Sequence, residues 1–162
     1  MLNRKTKEQD TFSPELISKS QHCYDYPRPS MAVDIIVFKD NGDLPYSVLL
    51  IKRGNEPFKD CYSFPGGFMD MNETLIQSAK RELEEETGLR VPALTPLGLY
   101  DKVDRDPRGR VISQVFKCVI KSSSEPQAGD DAVEAKFFPL DKLPRLAFDH
   151  EQILEDAVRT LS

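Results

Sequence analysis

The chain has 162 residues, of which 39% are hydrophobic and 30% are charged. This length and composition fit one globular domain and exclude wholesale disorder. The 22 basic and 27 acidic residues give a net charge of -5, which argues against sequence-independent binding of nucleic acid, because that activity needs a basic face.

The sequence contains no segment of the targeting or membrane type. No apolar run approaches the ~18 residues of a membrane-spanning helix, and the polar N-terminus MLNRKTKEQD lacks the apolar core of a signal peptide. The three cysteines, Cys23, Cys61 and Cys118, are too far apart in sequence for a zinc motif. We therefore expect three reduced thiols in a cytoplasmic protein with no membrane partner.

Residues 1–23 are predicted to form an N-terminal arm, and residues 24–162 a single domain of α/β class. Strands are predicted where β-branched and other apolar residues cluster between turn residues. Of the two predicted helices, the first ends at Gly88, and the second begins at Asp149, whose spacing to Gln152 matches a capping box. Hairpins that alternate with helices favour a mixed sheet. The predicted strands lie at 32–38, 46–53, 97–103, 111–120 and 134–139, and the predicted helices at 73–87 and 149–161.

The helix predicted at 73–87 carries an unusual group of carboxylates. At about 100° per residue, Glu82, Glu85 and Glu86 share one side, and Glu86 falls among the apolar residues that should face the core. Negative charge is unfavourable near a helix C-terminus, and Glu82 and Glu86 repel each other at i,i+4. Arg81 can pair with Glu85 but cannot neutralise all three. A divalent cation, Mg²⁺ or Mn²⁺, would resolve the repulsion. The helix alone leaves a second interpretation open, a solvated helix rich in glutamate.

The residues before the helix decide between these interpretations. The adjacent glycines Gly66 and Gly67 allow a backbone to approach a ligand closely. From Gly67 the sequence places Glu73 after five residues and, after seven more, the run Arg81-Glu82-Leu83-Glu84-Glu85-Glu86-Thr87-Gly88-Leu89. This 23-residue pattern has every defining position filled and resembles the Nudix box, so the chain is identified as a member of the Nudix hydrolase family.

The resemblance implies an α/β/α sandwich around a mixed sheet and a hydrolase that cleaves a nucleoside diphosphate linked to another group. In this family water is the nucleophile, and Mg²⁺ or Mn²⁺ is the electrophile. Arg81 and Glu73 are expected to hold the loop and helix in shape, and Glu82 can serve as the general base instead of a ligand. Carried over position by position, the expected metal ligands are Glu82, Glu85, Glu86 and the Gly67 carbonyl.

In several family members the general base comes from a separate loop. Here residues 128–134 offer Asp130, Asp131 and Glu134, and the sequence does not choose among them. The alternative for each is a turn or solvated residue. The residues expected to take part in catalysis are Glu82, Glu85, Arg81, Glu134 and Asp131.

The resemblance extends over most of residues 24–160. It is similar to the ADP-ribose pyrophosphatase branch, which makes AMP and ribose 5-phosphate from ADP-ribose, and to the Nudix domains of regulators that sense NAD metabolites. The motifs that carry it are YDYPRPS at 24–30, LLIKR at 49–53, FPGGF at 64–68, DRDPRGR at 104–110, AGDDAVEAKFFPLDKLP at 128–144 and LAFDH at 146–150.

Basic and aromatic residues outside the box are the candidates for binding substrate. Arginine makes bidentate contacts with phosphate oxygens, which favours the cluster at 104–110, although a β-turn with solvated charges explains the same residues. Tyr24 or Tyr26 is a candidate for stacking on adenine. The predicted substrate-binding residues are Arg53, Arg105, Arg108, Gly66, Tyr26 and His150.

Two rival functions stay open at this point. The first is a non-catalytic sensor of ADP-ribose or another NAD metabolite. Such regulators carry a C-terminal DNA-binding domain, whereas here the box is complete, the charge is acidic and the last predicted helix ends next to Ser162. The second is a Nudix hydrolase of oxidised nucleoside triphosphates, dinucleoside polyphosphates or nucleotide sugars, because the box sets the reaction and leaves the substrate open. A small nucleotide is the expected partner, and homodimers are frequent in the family.

Overall fold

The computed structural model describes residues 24–42, 44–121, 125–129 and 132–161. Within these residues, one mixed sheet lies between two helices. Neither helix is long and apolar enough to cross a membrane. The strands are β1 (Ser30–Asn41), β2 (Leu44–Arg53), β3 (Tyr62–Ser63), β4 (Gly66–Phe68), β5 (Thr95–Tyr100), β6 (Val111–Ile120) and β7 (Ala132–Pro139), and the helices are α1 (Leu75–Thr87) and α2 (His150–Val158).

Strand β1 is the centre of the sheet. It pairs in parallel with β6 along most of its length and antiparallel with β2. The strand order is β3-β2-β1-β6-β5, while β4 pairs with the start of β1 and β7 pairs with β2, both antiparallel. The β4 pairing matters most for the site, because it places Gly66 beside Asp34 and Gly67 beside Val33.

Side chains of β1 alternate between two separate cores, because successive residues of a strand point to opposite faces of the sheet. Val33, Ile35 and Val37 pack on the face that α1 covers. Ile36 and Phe38 pack on the opposite face, under α2. The sheet is thus covered by a helix on each side, which confirms the predicted α/β/α fold with a mixed sheet. The helix residues in these cores are Ala79 and Leu83 of α1 and Ile153, Leu154 and Ala157 of α2.

Helix α1 begins and ends where its sequence provides caps. The Thr74 side chain accepts from the Gln77 backbone N–H, and the Gln77 side chain accepts from the Thr74 backbone N–H, which is a capping box. At the other end Gly88 has a left-handed φ of 67°, and its N–H donates to the Glu84 carbonyl (2.8 Å). The predicted end at Gly88 is therefore confirmed.

Other local predictions differ from the structure. The connection between the first two predicted strands, residues 39–45, is shorter in the structure, because β1 continues to Asn41 and β2 begins at Leu44. Neither β3 nor β4 has a counterpart among the predicted strands. Asp149 does not cap α2 with its side chain, because its carboxylate binds Arg105. Cys61 and Cys118 are free thiols, while Cys23 and the predicted arm at 1–23 lie outside the described residues.

Candidate active site

Arg81 is the centre of an ion-pair network on the outer side of α1. Its guanidinium makes a bidentate pair with Glu73 (2.6 and 3.0 Å). It also donates to Glu82 (2.8 Å) and Glu85 (3.1 Å), and to the Phe68 carbonyl (3.3 Å), which ties the helix to β4. The hydrogen bonds from Arg81 lower the pKa of Glu73 to about 2. These contacts support the predicted structural role of Arg81 and Glu73.

Glu86 lies between α1 and the glycines of β4. Its carboxylate accepts a hydrogen bond from the Gly66 backbone N–H (2.8 Å). Burial nevertheless raises the pKa of Glu86 to about 8. Burial also raises the pKa of Glu82, although Arg81 acts in the opposite direction. The neighbouring carboxylates of Glu82 and Glu86 are thus disfavoured in their charged forms by burial. A bound cation relieves this condition.

Both glycines of β4 lie very close to neighbouring atoms. A Cβ atom on Gly67 would lie 2.4 Å from Oε1 of Glu82, and a Cβ atom on Gly66 would lie 2.2 Å from the Val33 carbonyl oxygen. No side chain fits at Gly66, because the nearest atoms belong to the backbone of β1, and a side chain at Gly67 would have to displace the Glu82 carboxylate. The backbone of this segment therefore lies directly between the glutamates of α1 and strand β1.

The segment 125–129 covers the C-terminal end of α1. The Gly129 N–H donates to the Glu86 carbonyl (3.0 Å), and a Cβ atom on Gly129 would lie 1.7 Å from the Glu85 carbonyl oxygen. Only glycine fits this approach, so the loop that was predicted to supply the base reaches the end of the glutamate helix. Two of the three predicted bases, Asp130 and Asp131, lie outside the described residues.

Glu134, the third predicted base, lies elsewhere. Its carboxylate accepts from the Tyr62 hydroxyl (2.6 Å) and from Lys136 (2.5 Å). It shares a face of β7 with Phe138, which packs in the core under α2, whereas the glutamates lie on α1 across the sheet. Glu134 is also not among the residues that line the cavity described next. The structure therefore separates Glu134 from the glutamates, because strand alternation turns its side chain to the other face.

A cavity of about 100 Å³ opens beside Gly66 and Gly67, and two guanidinium groups converge on it. Arg53 lies 4.9 Å from the centroid of the Phe148 ring, and Arg108 lies 5.8 Å from the same centroid. Burial and the nearby charge of Arg108 both lower the pKa of Arg53. Because like charges repel, this pair is stabilised when an anion lies between the two groups.

Arg108 is held in a fixed orientation at the mouth of this cavity. Asp106 pairs with it bidentately (2.7 and 3.0 Å), and the Phe68 ring lies against its guanidinium (5.1 Å to the centroid). Its side chain is 47% exposed, so it can still contact a ligand. The predicted role of Arg53 and Arg108 as phosphate ligands is therefore compatible with their positions.

Arg105 and His150 line the buried side of the cavity and belong to a polar network. The Arg105 guanidinium pairs bidentately with Asp149 (2.8 and 2.9 Å) and reaches Asp34 (3.5 Å). Burial alone would raise the pKa of Asp34, but His150, Ser113 and Arg105 together hold it below its ordinary value. Because Arg105 already pairs with two carboxylates, its role in the structure is to hold the cavity wall in place. A contact between Arg105 and the substrate stays a prediction.

Sequence reasoning missed several residues of this site. Asp34 interrupts the apolar run Met31–Phe38, and a charge in the middle of a buried strand is a usable signal. Asp106 and Phe148 offer no such signal, because their roles arise only where two loops meet. Tyr26 is 79% exposed and lines a separate cleft, which adjoins the cavity at Phe68.

Comparison with known proteins decides the family. The sequence pattern of the NUDIX domain matches residues 28–157. The chain belongs to the Nudix family. An ADP-ribose pyrophosphatase of Methanocaldococcus jannaschii is 51% identical over 134 residues, which are 83% of this chain and 76% of that protein.

Two further Nudix relatives are informative. The ADPR responsive transcriptional repressor NtrR of Acinetobacter baylyi is 34% identical over 143 residues, which are 85% of this chain and 56% of the repressor. The NUDIX domain of Shewanella oneidensis NrtR, solved as a complex with ADP ribose, has a TM-score of 0.79 at 28% identity and covers 94% of this chain and 100% of that one. Together the comparisons confirm the predicted family, the fold class and the class of enzyme, a Nudix pyrophosphohydrolase.

The residues of the Nudix box fit the divalent cation on which enzymes of this family depend. Their donors are carboxylate and carbonyl oxygens, which are hard ligands of the kind that Mg²⁺ and Mn²⁺ prefer. Among the described residues no three side chains already converge as metal ligands, because Arg81 holds Glu82 and Glu85 while Gly66 holds Glu86. When bound, a cation neutralises the negative charge that builds on phosphate oxygens and acidifies water.

We expect Glu73→Gln to lower the free energy of unfolding by roughly 1.5 kcal/mol at pH 7. The folded pKa of Glu73 is about 2 against 4.5 in the unfolded chain. A lowered pKa stabilises the fold above the unfolded value, and this contribution is lost as the pH falls from 4.5 towards 2. Urea unfolding from pH 7 to pH 3 should show the two proteins converging at low pH. Glu155→Gln, on the exposed side of α2, is the control, and an equal pH profile for both variants would contradict the assignment.

Proposed function

We propose that this chain hydrolyses ADP-ribose to AMP and ribose 5-phosphate, with Mg²⁺ or Mn²⁺ as its cofactor. One observation carries the proposal. The backbone of Gly66 and Gly67 has the carboxylates of Glu82 and Glu86 on one side and the guanidinium groups of the cavity on the other. A diphosphate site needs oxygen ligands for a cation and positive groups for the phosphates, and both lie beside this one segment. The relative that is 51% identical and the ADP-ribose complex of the structural neighbour support ADP-ribose as the substrate.

The chemistry of the reaction fits the side chains. Hydrolysis of a pyrophosphate places water on phosphorus while negative charge builds on the oxygens. Arg53 and Arg108 bind and orient the phosphates, and Asp106 holds the Arg108 guanidinium in one orientation. Among the described carboxylates, we assign to Glu82 the role of the general base that accepts the proton from water. It lies against Gly67, and burial raises its pKa.

Several expectations about the whole protein stay proposals. We propose a single domain at 24–162, of which the family pattern covers 28–157. A small nucleotide is the proposed partner, and a homodimer in the cytoplasm that binds neither membrane nor nucleic acid remains our expectation. Gel filtration with light scattering tests the homodimer directly.

The function is tested by the release of nucleoside monophosphate, identified by chromatography, from a panel of substrates, each with Mg²⁺ and with EDTA. The panel holds ADP-ribose, NADH, a diadenosine polyphosphate, a nucleotide sugar and oxidised dGTP. We expect cation-dependent AMP from ADP-ribose well above release from the other four. Faster turnover of another panel member would support the proposed pyrophosphate hydrolysis but contradict ADP-ribose as the substrate.

A sensor is the second candidate, because a repressor relative is 34% identical over 85% of this chain. Binding of ADP-ribose without turnover of any panel member would support it. A gel shift with DNA of mixed sequence, with and without ADP-ribose, then tests for nucleic-acid binding. We expect turnover and no shift.

We expect Arg108→Ala to raise KM for ADP-ribose about tenfold with little change in kcat, the signature of a lost contact that ground state and transition state share. Steady-state kinetics at saturating Mg²⁺ measure both constants. Lys102→Ala is the control, because Lys102 lies just before the same loop with its side chain 74% exposed. An unchanged KM in Arg108→Ala would remove this residue from the substrate site.

A further inference from the structure

His150 makes a contact that its predicted role as a substrate ligand does not explain. Its ring is 2% exposed and stacks on the Phe64 ring (4.6 Å between centroids, 14° between planes). Its Nδ1 accepts a hydrogen bond from the Phe64 backbone N–H (3.0 Å). Since Nδ1 is an acceptor, the ring proton is assigned to Nε2, which faces Oδ1 of Asp34 (3.5 Å).

The same network fixes Asp34 and the start of α2. Asp34 accepts from the Ser113 hydroxyl (2.5 Å) and contacts Arg105 (3.5 Å), and Arg105 holds Asp149, the residue before His150. In the described residues every buried side-chain nitrogen and oxygen has a hydrogen-bond partner. The imidazole is therefore held by the hydrogen bond at Nδ1 and by the contact of Nε2 with Asp34.

Phe64 leads directly into the segment that touches the box glutamates. The Pro65 carbonyl accepts from the Ile35 N–H (2.9 Å), and the Gly66 N–H donates to Glu86 (2.8 Å). Gly67 follows, with its backbone against Glu82. Residues 64–67 thus lie between the polar network on the α2 side and the glutamates on the α1 side, and a shift at Phe64 moves the backbone groups that face the glutamates.

We propose that His150 is a positioning residue that acts through the Phe64 backbone. It holds the Gly66-Gly67 segment against Glu82 and Glu86 and thereby sets the affinity for the divalent cation, without touching substrate. The inference rests on the proposed function, because it takes Glu86 as a cation ligand of that site and Glu82 as the neighbouring carboxylate that accepts the proton from water. Removal of an outer partner of metal ligands commonly weakens metal binding by roughly 10–100-fold.

A matched pair of substitutions isolates the hydrogen bond to Phe64. In His150→Asn the amide oxygen replaces Nδ1 and can accept from the Phe64 N–H. In His150→Gln the longer side chain places its amide where Nε2 lies, so the Phe64 N–H loses its acceptor. Both variants lose the ring stacking, so stacking cancels in the comparison. Ile153→Val, in the core under α2, controls for a general loss of stability.

The primary measurement is Mn²⁺ binding in the absence of nucleotide, from the electron paramagnetic resonance signal of free Mn²⁺. We expect the Kd to rise roughly tenfold in His150→Gln and to stay near the wild-type value in His150→Asn and Ile153→Val. Equal Kd values in the Asn and Gln variants would overturn the proposal. So would a rise in KM for ADP-ribose at saturating Mn²⁺ with an unchanged Kd for Mn²⁺, since that result makes His150 a substrate ligand.

A second measurement uses the wild-type chain and does not depend on how well the variants fold. We expect the Phe64 amide to be protected from hydrogen exchange without Mn²⁺, and exchange at the rate of an exposed loop amide would overturn the proposal. Neither the Mn²⁺ titration nor the hydrogen-exchange measurement needs ADP-ribose. A chain that binds Mn²⁺ through this network but hydrolyses another nucleotide would therefore refute the proposed substrate and leave the role of His150 intact.

Discussion

Glu86→Gln should lower kcat by about three orders of magnitude while the fold remains intact. Glutamine keeps an oxygen that can accept from the Gly66 N–H, so the contact between α1 and β4 survives. What is lost is the negative charge that a cation needs. In the metal-free protein the variant should melt at or above the wild-type temperature, because it removes a carboxylate whose pKa burial raises to about 8.

Glu84→Gln is the matched control, since Glu84 lies on the same helix but pairs with the exposed Arg90 away from the cavity. Turnover at saturating Mg²⁺ and thermal unfolding with EDTA measure the two effects separately. Glu85→Gln should also lose activity, although its side chain is 60% exposed and its removal should change stability little. Near-normal turnover in Glu86→Gln would show that this carboxylate does not bind the cation.

The regular elements were predictable because their signals are local. The end of α1 at Gly88 follows from one residue, and strand β6 has the predicted bounds, 111–120. The predicted strand at 97–103 is displaced, because β5 ends at Tyr100 and the following residues enter the arginine loop. Strands β3 and β4 have two and three residues, and glycine has low β propensity. They exist because β2 and β1 lie beside them, which a reading along the chain does not show.

The site shows the same division between local spacing and contacts in space. Glu82, Glu85, Glu86 and Arg81 lie within one helix, so their proximity follows from the helical repeat. Arg105 and Arg108 look equivalent in the sequence, yet Arg105 is 4% exposed and paired with Asp149, while Arg108 is 47% exposed at the cavity. The difference comes from their partners. Arg105 pairs with Asp149, which lies 44 residues away in sequence, whereas Arg108 pairs with Asp106, which lies only two residues away.

Arg105→Ala should lower the free energy of unfolding by about 3–5 kcal/mol, the cost of removing one partner from a buried ion pair. The variant leaves the carboxylates of Asp34 and Asp149 without the guanidinium that now contacts both. A domain of this kind is stable by about 5–15 kcal/mol, so the substitution removes a large share of its stability. Urea unfolding with the slope compared between variants measures the loss.

A second substitution tests whether the cost comes from the unpaired charge or from lost packing. In the Arg105→Ala background, Asp149→Asn removes one of the two carboxylates, so part of the stability should return even though no packing is restored. Arg159→Ala on the surface of α2 is the control, because its side chain is 70% exposed and its pairs with Glu155 and Asp156 should contribute below about 1 kcal/mol. Additive losses in the double variant would locate the effect in packing instead, and the network would then shape the cavity without any electrostatic constraint.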